Sequence, residues 1–536
     1  MQRPLRRVVL AALAATTALT GALTGAPPAA ASPSPAPRGP VVPGDASASH
    51  TADPGRPAEA AASGGAPAAP RWGDCARGPA DTRGARLDDA GMRCAEVTVP
   101  VDHTDPAGPT LTVAVSRLPA TAPDGGEGPL LINGGGPGGR GLHLPLDAAA
   151  ALGDVAGRYD LIGMDPRGIG RSTPVDCGWP TGSSIRSAGT GLLDFLAASA
   201  VQRDLAEDCR TNGGPLLPHL TTRQTARDID RVRAALGAEQ LHYLGYSYGT
   251  YLGQVYGQLF PDRLGRTVLD GVMDPARYGA HPLADTTAAN EAALRDWAVW
   301  TAARHGTYGL GRDADAVLGE VERVVRAATA RPLRVGDHHL DHRAAPVLYL
   351  IALGTDRDTA RDGLARDTQL LSRAADGEPV VPHESLDRRL RLLLTDDHSA
   401  FGSAQTAVLC GDAVDRRTTL ARYLALRAES ARHPLAGPVA FNTTPCAHWP
   451  EPREPLTVVD DDRPVLLVAS TGDPRTSYDH ARAVRDRRPG ARLITLEDST
   501  QHAVFGVLGN RCVDDAVTAY LATGRLPDTD VRCARE

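Results

Sequence analysis

Short apolar runs that end in glycine-rich turns alternate along most of the chain with amphipathic segments. The apolar runs, which are typical of buried strands, are GPLLIN, RYDLIGMD, LHYLGYS, RTVLDGV, RPVLLVASTGD and ARLITLED. Between two of them, TARDIDRVRAALG places Ile229, Val232 and Leu236 on one helical face and ends at Gly237. Ahead of them, CAEVTVPVD and LTVAVSRL alternate apolar and polar residues and predict an opening pair of strands. This alternation predicts an α/β fold with a mostly parallel central sheet and helices on both faces.

The pattern changes between about Pro275 and Pro455, where arginine-rich and alanine-rich helical segments follow one another without clear strands. We interpret this stretch as a large helical cap inserted over the carboxyl edge of the sheet. The predicted organisation is a signal peptide (1–31), a Pro/Ala-rich flexible linker (32–71), the first part of the core (72–275), the cap (276–455) and the C-terminal part of the core (456–536).

The N-terminal residues have the pattern of a secretory signal. Three arginines among the first seven residues precede an apolar stretch from Val8 to Leu23, and three alanines before Ser32 form a small-residue cleavage site. The apolar stretch is short for a membrane span and no cysteine follows the cleavage site, so we predict no stable membrane anchor. The expected location is extracellular, with residues 32–71 too poor in large apolar groups to fold.

Charge and composition exclude several classes of function. The net charge of −7 gives no basic surface for nucleic acid, so no nucleic-acid partner is predicted. The chain has no lysine, because all 57 residues counted as lysine plus arginine are arginine. This excludes Schiff-base catalysis, a Ser–Lys dyad and a P-loop lysine.

Eight cysteines agree with an exported protein. In chain order they are Cys75, Cys94, Cys177, Cys209, Cys410, Cys446, Cys512 and Cys533. Pairing of neighbours is the simplest arrangement, because each bridge would close a short loop, but eight cysteines allow 105 connectivities and the sequence leaves the choice open. No C-x-x-C spacing supports zinc, so disulfides are expected and no metal site is predicted.

The clearest chemical signal is LGYSYG, in which residues 245–249 read G-x-S-x-G around Ser247. The pentapeptide follows a predicted strand and opens a predicted helix, which is the context of a nucleophile elbow. Such a turn lifts the serine hydroxyl above the sheet, and the helix N-terminus then favours negative charge that develops beside it. We predict Ser247 as nucleophile and the backbone N–H of Tyr248 as one donor of an oxyanion hole. A glycine turn that serves only tight packing is the alternative.

A serine nucleophile needs a base and an acid that orients the base, in the chain order serine, acid, histidine for this architecture. After Ser247, Asp473 follows the predicted strand RPVLLVAS and His502 follows the predicted strand ARLITLED. We predict these two residues as acid and base. His448, beside a cysteine in the cap, is the rival base, and Asp270 in RTVLDGV is the rival acid.

The loop GGGPGGRG after the strand GPLLIN has two interpretations. Gly134, Gly136 and Gly139 satisfy G-x-G-x-x-G, and Asp165 ends the next strand, as a dinucleotide site requires. Pro137 inside the turn, the export signal and the downstream Ser/Asp/His set favour a loop that supplies an oxyanion N–H instead. Its glycines would let the backbone approach a tetrahedral intermediate. We therefore predict a serine hydrolase that uses no organic cofactor.

Several segments resemble those of the secreted tripeptidyl aminopeptidases of actinobacteria, which belong with the prolyl aminopeptidases among the α/β-hydrolases. They are GGPGGRG, DPRGIGRS, GYSYGTYL, VLDGVMDP and GDPRTS, with CGD and PCAHWP in the cap, and the resemblance runs from about Trp72 to the C-terminus. It implies an α/β-hydrolase fold, an acyl-enzyme on Ser247 and removal of short peptides from free N-termini. By position in GGPG, the resemblance implies Gly135 as the loop donor of the oxyanion hole.

The chain departs from this family's pattern in three places. Arg140 stands where the family has serine in GGPGxSG, Ser477 where it has proline after GDPxT, and residues 499–501 where it has glycines before the histidine. None of these removes a triad group, and Arg140 is a candidate for altered substrate preference. Family members hold the substrate amine with cap acids, for which Glu291 and Asp296 in NEAALRDW are the candidates here.

The expected reaction is acyl transfer, in which His502 takes the proton of Ser247, Asp473 holds the imidazole, and water hydrolyses the acyl-enzyme. A helical cap would restrict entry to peptide ends, so the expected partners are peptides with a free N-terminus, from which tripeptides would be released. A carboxylesterase with the same triad is the alternative enzyme. A binding protein that keeps the fold is the non-enzymatic alternative, and loss of a triad residue would leave its function unchanged. The sequence leaves the oligomeric state open.

Overall fold

The computed structural model describes residues 68–122, 126–189 and 191–536; the predicted signal peptide (1–31) and residues 32–67 of the predicted linker lie outside these ranges. The helices are α1 Thr82–Asp89, α2 Leu144–Leu152, α3 Leu192–Asn212, α4 Thr222–Ala235, α5 Tyr248–Leu259, α6 Thr287–Ala302, α7 His305–Tyr308, α8 Ala314–Ala330, α9 Ala345–Leu350, α10 Asp358–Ala375, α11 Glu384–Leu394, α12 Ser399–Asp412, α13 Thr419–Arg432, α14 Gly437–Ala440, α15 Tyr478–Arg487 and α16 Arg511–Thr523. The strands are β1 Arg93–Pro100, β2 Thr110–Leu118, β3 Pro129–Asn133, β4 Asp160–Met164, β5 Leu241–Tyr246, β6 Leu264–Asp270, β7 Leu333–Val335, β8 His338–Leu340, β9 Val465–Ser470, β10 Ala491–Leu496 and β11 Val531–Cys533.

Nine strands form one sheet in the order β1-β2-β4-β3-β5-β6-β9-β10-β11. Every neighbouring pair from β4 to β11 is parallel, whereas β2 runs antiparallel to both of its neighbours. The register pairs Asn133 at the end of β3 with Gly245 of β5, and Tyr246 at the end of β5 with Asp270 at the end of β6. The carboxyl ends of these three strands therefore meet at one edge, and the predicted mostly parallel sheet is confirmed.

Helices cover both faces of the sheet, because alternate residues of each strand point to opposite sides. Leu131 of β3 packs in one buried cluster with residues of α4 and α5, such as Ile229. Its chain neighbour Leu130 packs in a different cluster with Leu152 of α2 and Val517 of α16. The prediction of helices on both faces is confirmed.

Some elements differ from the sequence interpretation. The stretch interpreted as a cap without strands contains a short antiparallel hairpin of β7 and β8, which turns at Gly336 with φ of 58°. Three-residue strands are too short to show an alternating pattern, which is why the sequence did not indicate them. For the same reason the parallel edge strand β11 was not predicted. The long helix α3, between β4 and α4, was also not predicted.

The helices next to the carboxyl edge come from two stretches of chain, which we call the helical cover: α3 with its flanking loops, and α6 to α14 between β6 and β9. The second stretch has a buried apolar cluster of its own. The first is bonded to it, because the N–H of Ser187 donates to the carbonyl of Arg343 (2.9 Å) and the N–H of Ala188 to that of Pro438 (2.8 Å). The boundaries 276–455 for a cap stay a prediction.

A buried ion pair fixes the loop after β4. Arg167 donates from Nε and Nη2 to the carboxylate of Asp228 in α4 (2.7 and 2.6 Å), and both side chains are fully buried. The other donors of the guanidinium reach the carbonyls of Pro100, Val101 and His219. A buried charge is tolerated when its partners satisfy it in this way. The pair thereby joins β1, the β4 loop and α4.

All eight cysteines form disulfides between chain neighbours. The bridges are Cys75–Cys94, Cys177–Cys209, Cys410–Cys446 and Cys512–Cys533. This is the neighbour pairing that the sequence had left open among other connectivities.

Across the described ranges, no helix combines the length and the apolar character needed to cross a membrane.

Candidate active site

Ser247 lies in a sharp turn between β5 and α5. Its φ of 56° and ψ of −126° are unusual for a residue with a side chain and cost about 1–3 kcal/mol. The turn needs glycine on both sides, because a Cβ at Gly245 would lie 2.6 Å from the carbonyl oxygen of Gly249. A Cβ at Gly249 would lie 2.6 Å from the carbonyl oxygen of Asn133 at the end of β3. The geometry is that of a nucleophile elbow.

The start of α5 leaves a backbone donor beside the serine. Tyr248 is the first residue of the helix, so its N–H has no acceptor in the preceding turn. The N–H of Ser247 itself donates to the carbonyl of Asp270 at the end of β6 (2.9 Å). The helix N-terminus carries partial positive charge and therefore favours an anion at this position.

His502 and Asp473 are hydrogen-bonded to each other, with 2.8 Å between Nδ1 of the histidine and Oδ2 of the aspartate. Asp473 is 1% exposed, and its Oδ1 accepts the N–H groups of Arg475 (2.7 Å) and Thr476 (3.1 Å). The hydroxyl of Thr476 donates to Oδ2 (2.9 Å). Both carboxylate oxygens of Asp473 therefore accept hydrogen bonds, and with Nδ1 of His502 as donor to Oδ2, the neutral imidazole has Nε2 as its acceptor nitrogen.

Asp270 and the following Gly271 contact both the serine and the segment that carries the histidine. The carbonyl of Asp270 holds Ser247, and its Oδ2 accepts the N–H groups of Val504 (2.8 Å) and Phe505 (2.7 Å), just after the histidine. A Cβ at Gly271 would lie 3.0 Å from Cε1 of His502, so the imidazole packs directly against this glycine. The structure thus places the three predicted triad residues at the ends of β5, β9 and β10, on one edge of the sheet.

The rival acid, Asp270, bonds to backbone and not to the imidazole. It is fully buried, and its Oδ1 has no hydrogen-bond partner among the described residues. Burial raises the pKa of Asp270 to about 7, even though the N–H groups of Val504 and Phe505 favour the ionised form. The rival base, His448, is exposed, and the positive charge of Arg422 in α13 acts on it electrostatically. Neither rival is bonded as a triad member.

The glycine-rich loop differs from the prediction at Gly135. Its N–H donates to Oδ1 of Asn133 (3.0 Å), because the asparagine at the end of β3 turns its amide back onto the loop. The N–H predicted as the loop donor is therefore already bonded within the loop, and the role of Gly135 stays a prediction. Gly135 packs against the elbow, where a Cβ would lie 2.4 Å from the carbonyl oxygen of Tyr246. The N–H of the next residue, Gly136, has no acceptor in the described chain, and Gly136 faces the same cavity as Ser247.

The dinucleotide interpretation of the loop finds no support in the position of Asp165. Its Oδ1 accepts the N–H of Gly141 (2.7 Å) and its Oδ2 accepts the N–H of Arg171 (2.8 Å). The carboxylate is 1% exposed, so it fixes the end of the glycine-rich loop and is not available to a ribose. The next helix, α2, begins at Leu144, beyond the glycines.

A cavity of about 340 Å³ lies between the elbow and the helical cover. Ser247, Tyr248 and Gly136 line it from the sheet side. The residues that line it from the helical cover include Ser184, Ile185, Arg186, Asn290, Val347, Leu350, Ile351, Gln405, Leu409, Val439, Asn442 and Thr443. Apolar side chains form much of this wall, as is usual for a cavity that binds a small organic group.

The two cap acids that were candidates for an amine site lie elsewhere. Oε1 of Glu291 accepts the N–H groups of Leu435 (2.8 Å) and Ala436 (3.0 Å), and Asp296 forms an ion pair with Arg361. Neither residue lines the cavity.

The functional role of Thr476 was not predicted, although an aspartate followed after two residues by threonine is a pattern in which the hydroxyl can cap the carboxylate.

Sequence profiles of two families match the chain: one described as "alpha/beta hydrolase fold" matches residues 128–321, and one described as "TAP-like protein" matches residues 433–533. The chain is 36% identical over 468 residues to the tripeptidyl aminopeptidase of Streptomyces lividans, covering 83% of this chain and 84% of that protein. It is 30% identical over 477 residues to the serine protease Hip1 of Mycobacterium tuberculosis, covering 83% and 87%. It is 33% identical over 491 residues to carboxylesterase B of the same species, covering 86% and 89%.

Proposed function

The chain belongs to the tripeptidyl-aminopeptidase-like family of α/β-hydrolases, and from this membership we propose that it releases tripeptides or other short peptides from the free N-termini of peptide substrates. It is a serine hydrolase of the α/β-hydrolase type. Ser247, Asp473 and His502 are the proposed nucleophile, acid and base.

The proposed reaction passes through an acyl-enzyme. Nε2 of His502 takes the proton of Ser247 as the serine oxygen attacks the substrate carbonyl, and then delivers it to the leaving amine. Asp473, bonded to Nδ1, keeps the imidazole in the required tautomer and stabilises its charged form. Water then attacks the acyl-enzyme with His502 again as the base, which releases the short peptide and restores the hydroxyl of Ser247.

The proposed oxyanion hole consists of the N–H groups of Gly136 and Tyr248. Both belong to residues that line the cavity beside Ser247, and neither N–H has an acceptor in the described chain. One such donor stabilises the transition state by roughly 3–4 kcal/mol. Gly136 replaces Gly135 in this role, since the N–H of Gly135 already donates to Asn133.

One observation carries the proposal. Asp270 bonds to the strained Ser247, and the next residue, Gly271, packs against His502, which is hydrogen-bonded to Asp473. The unfavourable φ of Ser247 would bring no benefit in a turn that served packing alone. A buried carboxylate bonded to Nδ1 of a partly exposed histidine is the arrangement that a general base requires. The cavity supports the proposed exopeptidase action, because helical-cover residues form its far wall and leave room for a short peptide segment.

We further propose that the protein is secreted after removal of residues 1–31. Four disulfides agree with folding in an oxidising compartment. Mass spectrometry of the protein recovered from culture medium would detect a mature N-terminus at Ser32. Recovery of the intact chain from the cytoplasm alone would overturn this part of the proposal.

The function is tested with purified mature protein and three chromogenic substrates: a tripeptide p-nitroanilide with a free amine, the same anilide N-acylated, and a short-chain p-nitrophenyl ester. Cleavage of the free-amine anilide alone is expected. Ser247→Ala should lower kcat/KM by at least about 10⁴-fold. Ser477→Ala is the matched control: it lies in the same GDPRTS segment, its side chain makes no capping bond to α15, and wild-type activity is expected.

A carboxylesterase is the second candidate, favoured by the largely apolar cavity wall and by the likeness to carboxylesterase B. Ester turnover that depends on Ser247, with neither anilide cleaved, would establish the esterase and reject the peptidase. Equal cleavage of free and N-acylated anilides would reject the requirement for a free N-terminus.

A further inference from the structure

The cavity beside Ser247 has an unusual balance of charge. Of the described residues that line it, none is aspartate or glutamate, whereas Arg186 and Arg475 both line it. His281 also lines it, but this side chain is bonded to Asp415 (2.8 Å). The wall therefore presents guanidinium groups without a carboxylate of its own.

Arg475 lies at the catalytic end of the cavity. Its backbone N–H holds Asp473, and its Nε lies 3.3 Å from the position a Cβ of Gly354 would take. The carbonyl of Gly354 in turn accepts the N–H of His502 (3.0 Å). Among the described residues, the guanidinium has one acceptor, the carbonyl of Leu350 bonded to Nη2, and no ion-pair partner within 4 Å. Its other donors are left for a ligand.

Arg186 contributes a second guanidinium from the α3 side of the helical cover. Nη2 donates to the hydroxyl of Thr181 (2.8 Å) and to the carbonyl of Leu393. Nη1 is buried and has no partner in the described chain. Burial lowers the pKa of both guanidinium groups, but arginine remains a cation at any physiological pH.

Neither guanidinium has a carboxylate within 4 Å among the described residues, although Asp341 attracts Arg186 and Asp473 attracts Arg475 from farther away. A desolvated guanidinium without a directly bonded counter-ion is costly, and a carboxylate that reached it would be bound strongly. We propose that the cavity is an anion-accepting subsite that takes the side chain of an aspartate or glutamate in the released peptide, with Arg475 as the residue that selects it and Arg186 adding positive charge. This inference rests on the proposed function, in which the released peptide occupies the cavity.

A purely structural role for Arg475 makes a different prediction. Its Nη2 donates to the carbonyl of Leu350, so the side chain could serve only to hold the segment of Asp473 against the helical cover. In that case its loss would lower kcat equally for acidic and neutral substrates. A selecting role instead changes the ratio between the two substrates.

The test uses Ser247→Ala protein, so that binding is measured without cleavage, and C-terminally amidated tripeptides, which carry no terminal carboxylate. Glutamate or glutamine is placed at each of the three positions with alanine elsewhere, and the Kd is measured by isothermal titration calorimetry. At one position at least, the glutamate peptide should bind tenfold or more tightly than the glutamine peptide, as a charge-assisted hydrogen bond allows. Adding Arg475→Gln should reduce this ratio below threefold.

Three further variants make the result specific. Arg475→Lys keeps the charge and should retain part of the preference, Arg186→Gln should weaken it, and the exposed Arg388→Gln, on α11, should leave it unchanged. Equal binding of both peptides at all three positions, no detectable binding of any glutamate peptide, or a preference that survives Arg475→Gln would each overturn the inference. Cleavage of the corresponding anilides by the wild-type protein is measured in a separate assay. Arg475-dependent binding without any anilide cleavage would reject the proposed peptidase and leave the anion site in place.

Discussion

Replacing Asp270 by asparagine changes the pH dependence of stability in a way that the structure makes quantitative. The carboxyl group is fully buried, and burial raises its pKa from 3.8 to about 7. Because the folded state favours the protonated form, the stability associated with this group is complete below pH 3.8 and is lost as the pH rises to about 7. The loss amounts to about 4 kcal/mol, of which about 3 kcal/mol falls between pH 4.5 and pH 7.5.

Asparagine keeps an oxygen that can accept the N–H groups of Val504 and Phe505 but does not ionise. The Tm of Asp270→Asn relative to wild type should therefore increase by roughly 3 °C between pH 4.5 and pH 7.5, for an unfolding entropy of about 1 kcal/mol per kelvin. Differential scanning fluorimetry of both proteins at several pH values provides the measurement. Asp105→Asn, exposed in the loop after β1, is the control and should follow wild type throughout.

A constant Tm difference between Asp270→Asn and wild type across this pH range would refute the reasoning, since it would mean that Asp270 titrates alike in the folded and unfolded chain.

A kinetic comparison separates the effect of the charge of Asp270 from its effect in positioning the segment after His502. Asp270→Ala removes both bonds to the segment after His502 and should lower kcat about 10–100-fold, whereas the asparagine variant should stay within tenfold of wild type.

Three other changes have defined outcomes. Arg167→Met leaves the buried carboxylate of Asp228 without its guanidinium partner and bonded only to His103 among the described residues, so the free energy of unfolding should fall by about 3–5 kcal/mol in denaturant titration; a loss under 1 kcal/mol would contradict this. Cys177→Ser together with Cys209→Ser opens one disulfide loop and should cost about 3–4 kcal/mol, seen as a lower Tm in the absence of reducing agent, where the other three disulfides stay intact; an unchanged Tm would contradict this. Thr476→Val removes the hydroxyl bonded to the triad carboxylate and should lower kcat about tenfold with little change in KM; unchanged kcat would show that the two backbone N–H groups suffice.

The parts of the site that follow from sequence are those tied to strand ends. Asp473 and His502 each follow an apolar run, and because β9 and β10 are neighbouring parallel strands, residues after their carboxyl ends come within hydrogen-bond distance. Ser247 was indicated by its two glycine neighbours, which the turn requires sterically. These signals are local in the chain, so a single sequence carries them. The catalytic roles of the three residues stay predictions until the variants are measured.

The parts of the structure that could not be predicted from the sequence depend on contacts between distant segments or on the direction of one N–H group. Gly135 and Gly136 are equivalent in the sequence pattern, and only the amide of Asn133 separates them, by accepting the N–H of the first. The cationic wall likewise depends on packing of Arg186 beside a cavity that Arg475 reaches from another part of the chain. Short strands such as β7 carry no periodic signal, so their pairing had to come from the structure.

The position of the helical cover within the chain has a consequence for biosynthesis. The residues that pair β6 with β9, such as Val268 and Leu466, are separated by roughly two hundred residues of intervening chain, and closing so long a loop is slow. A nascent polypeptide that has emerged as far as α14 already contains Ser247, but neither the proposed base His502 nor the proposed acid Asp473. With the proposed triad, hydrolytic activity requires β9 and β10 to join the sheet, so incomplete translation products that end before them are expected to be inactive.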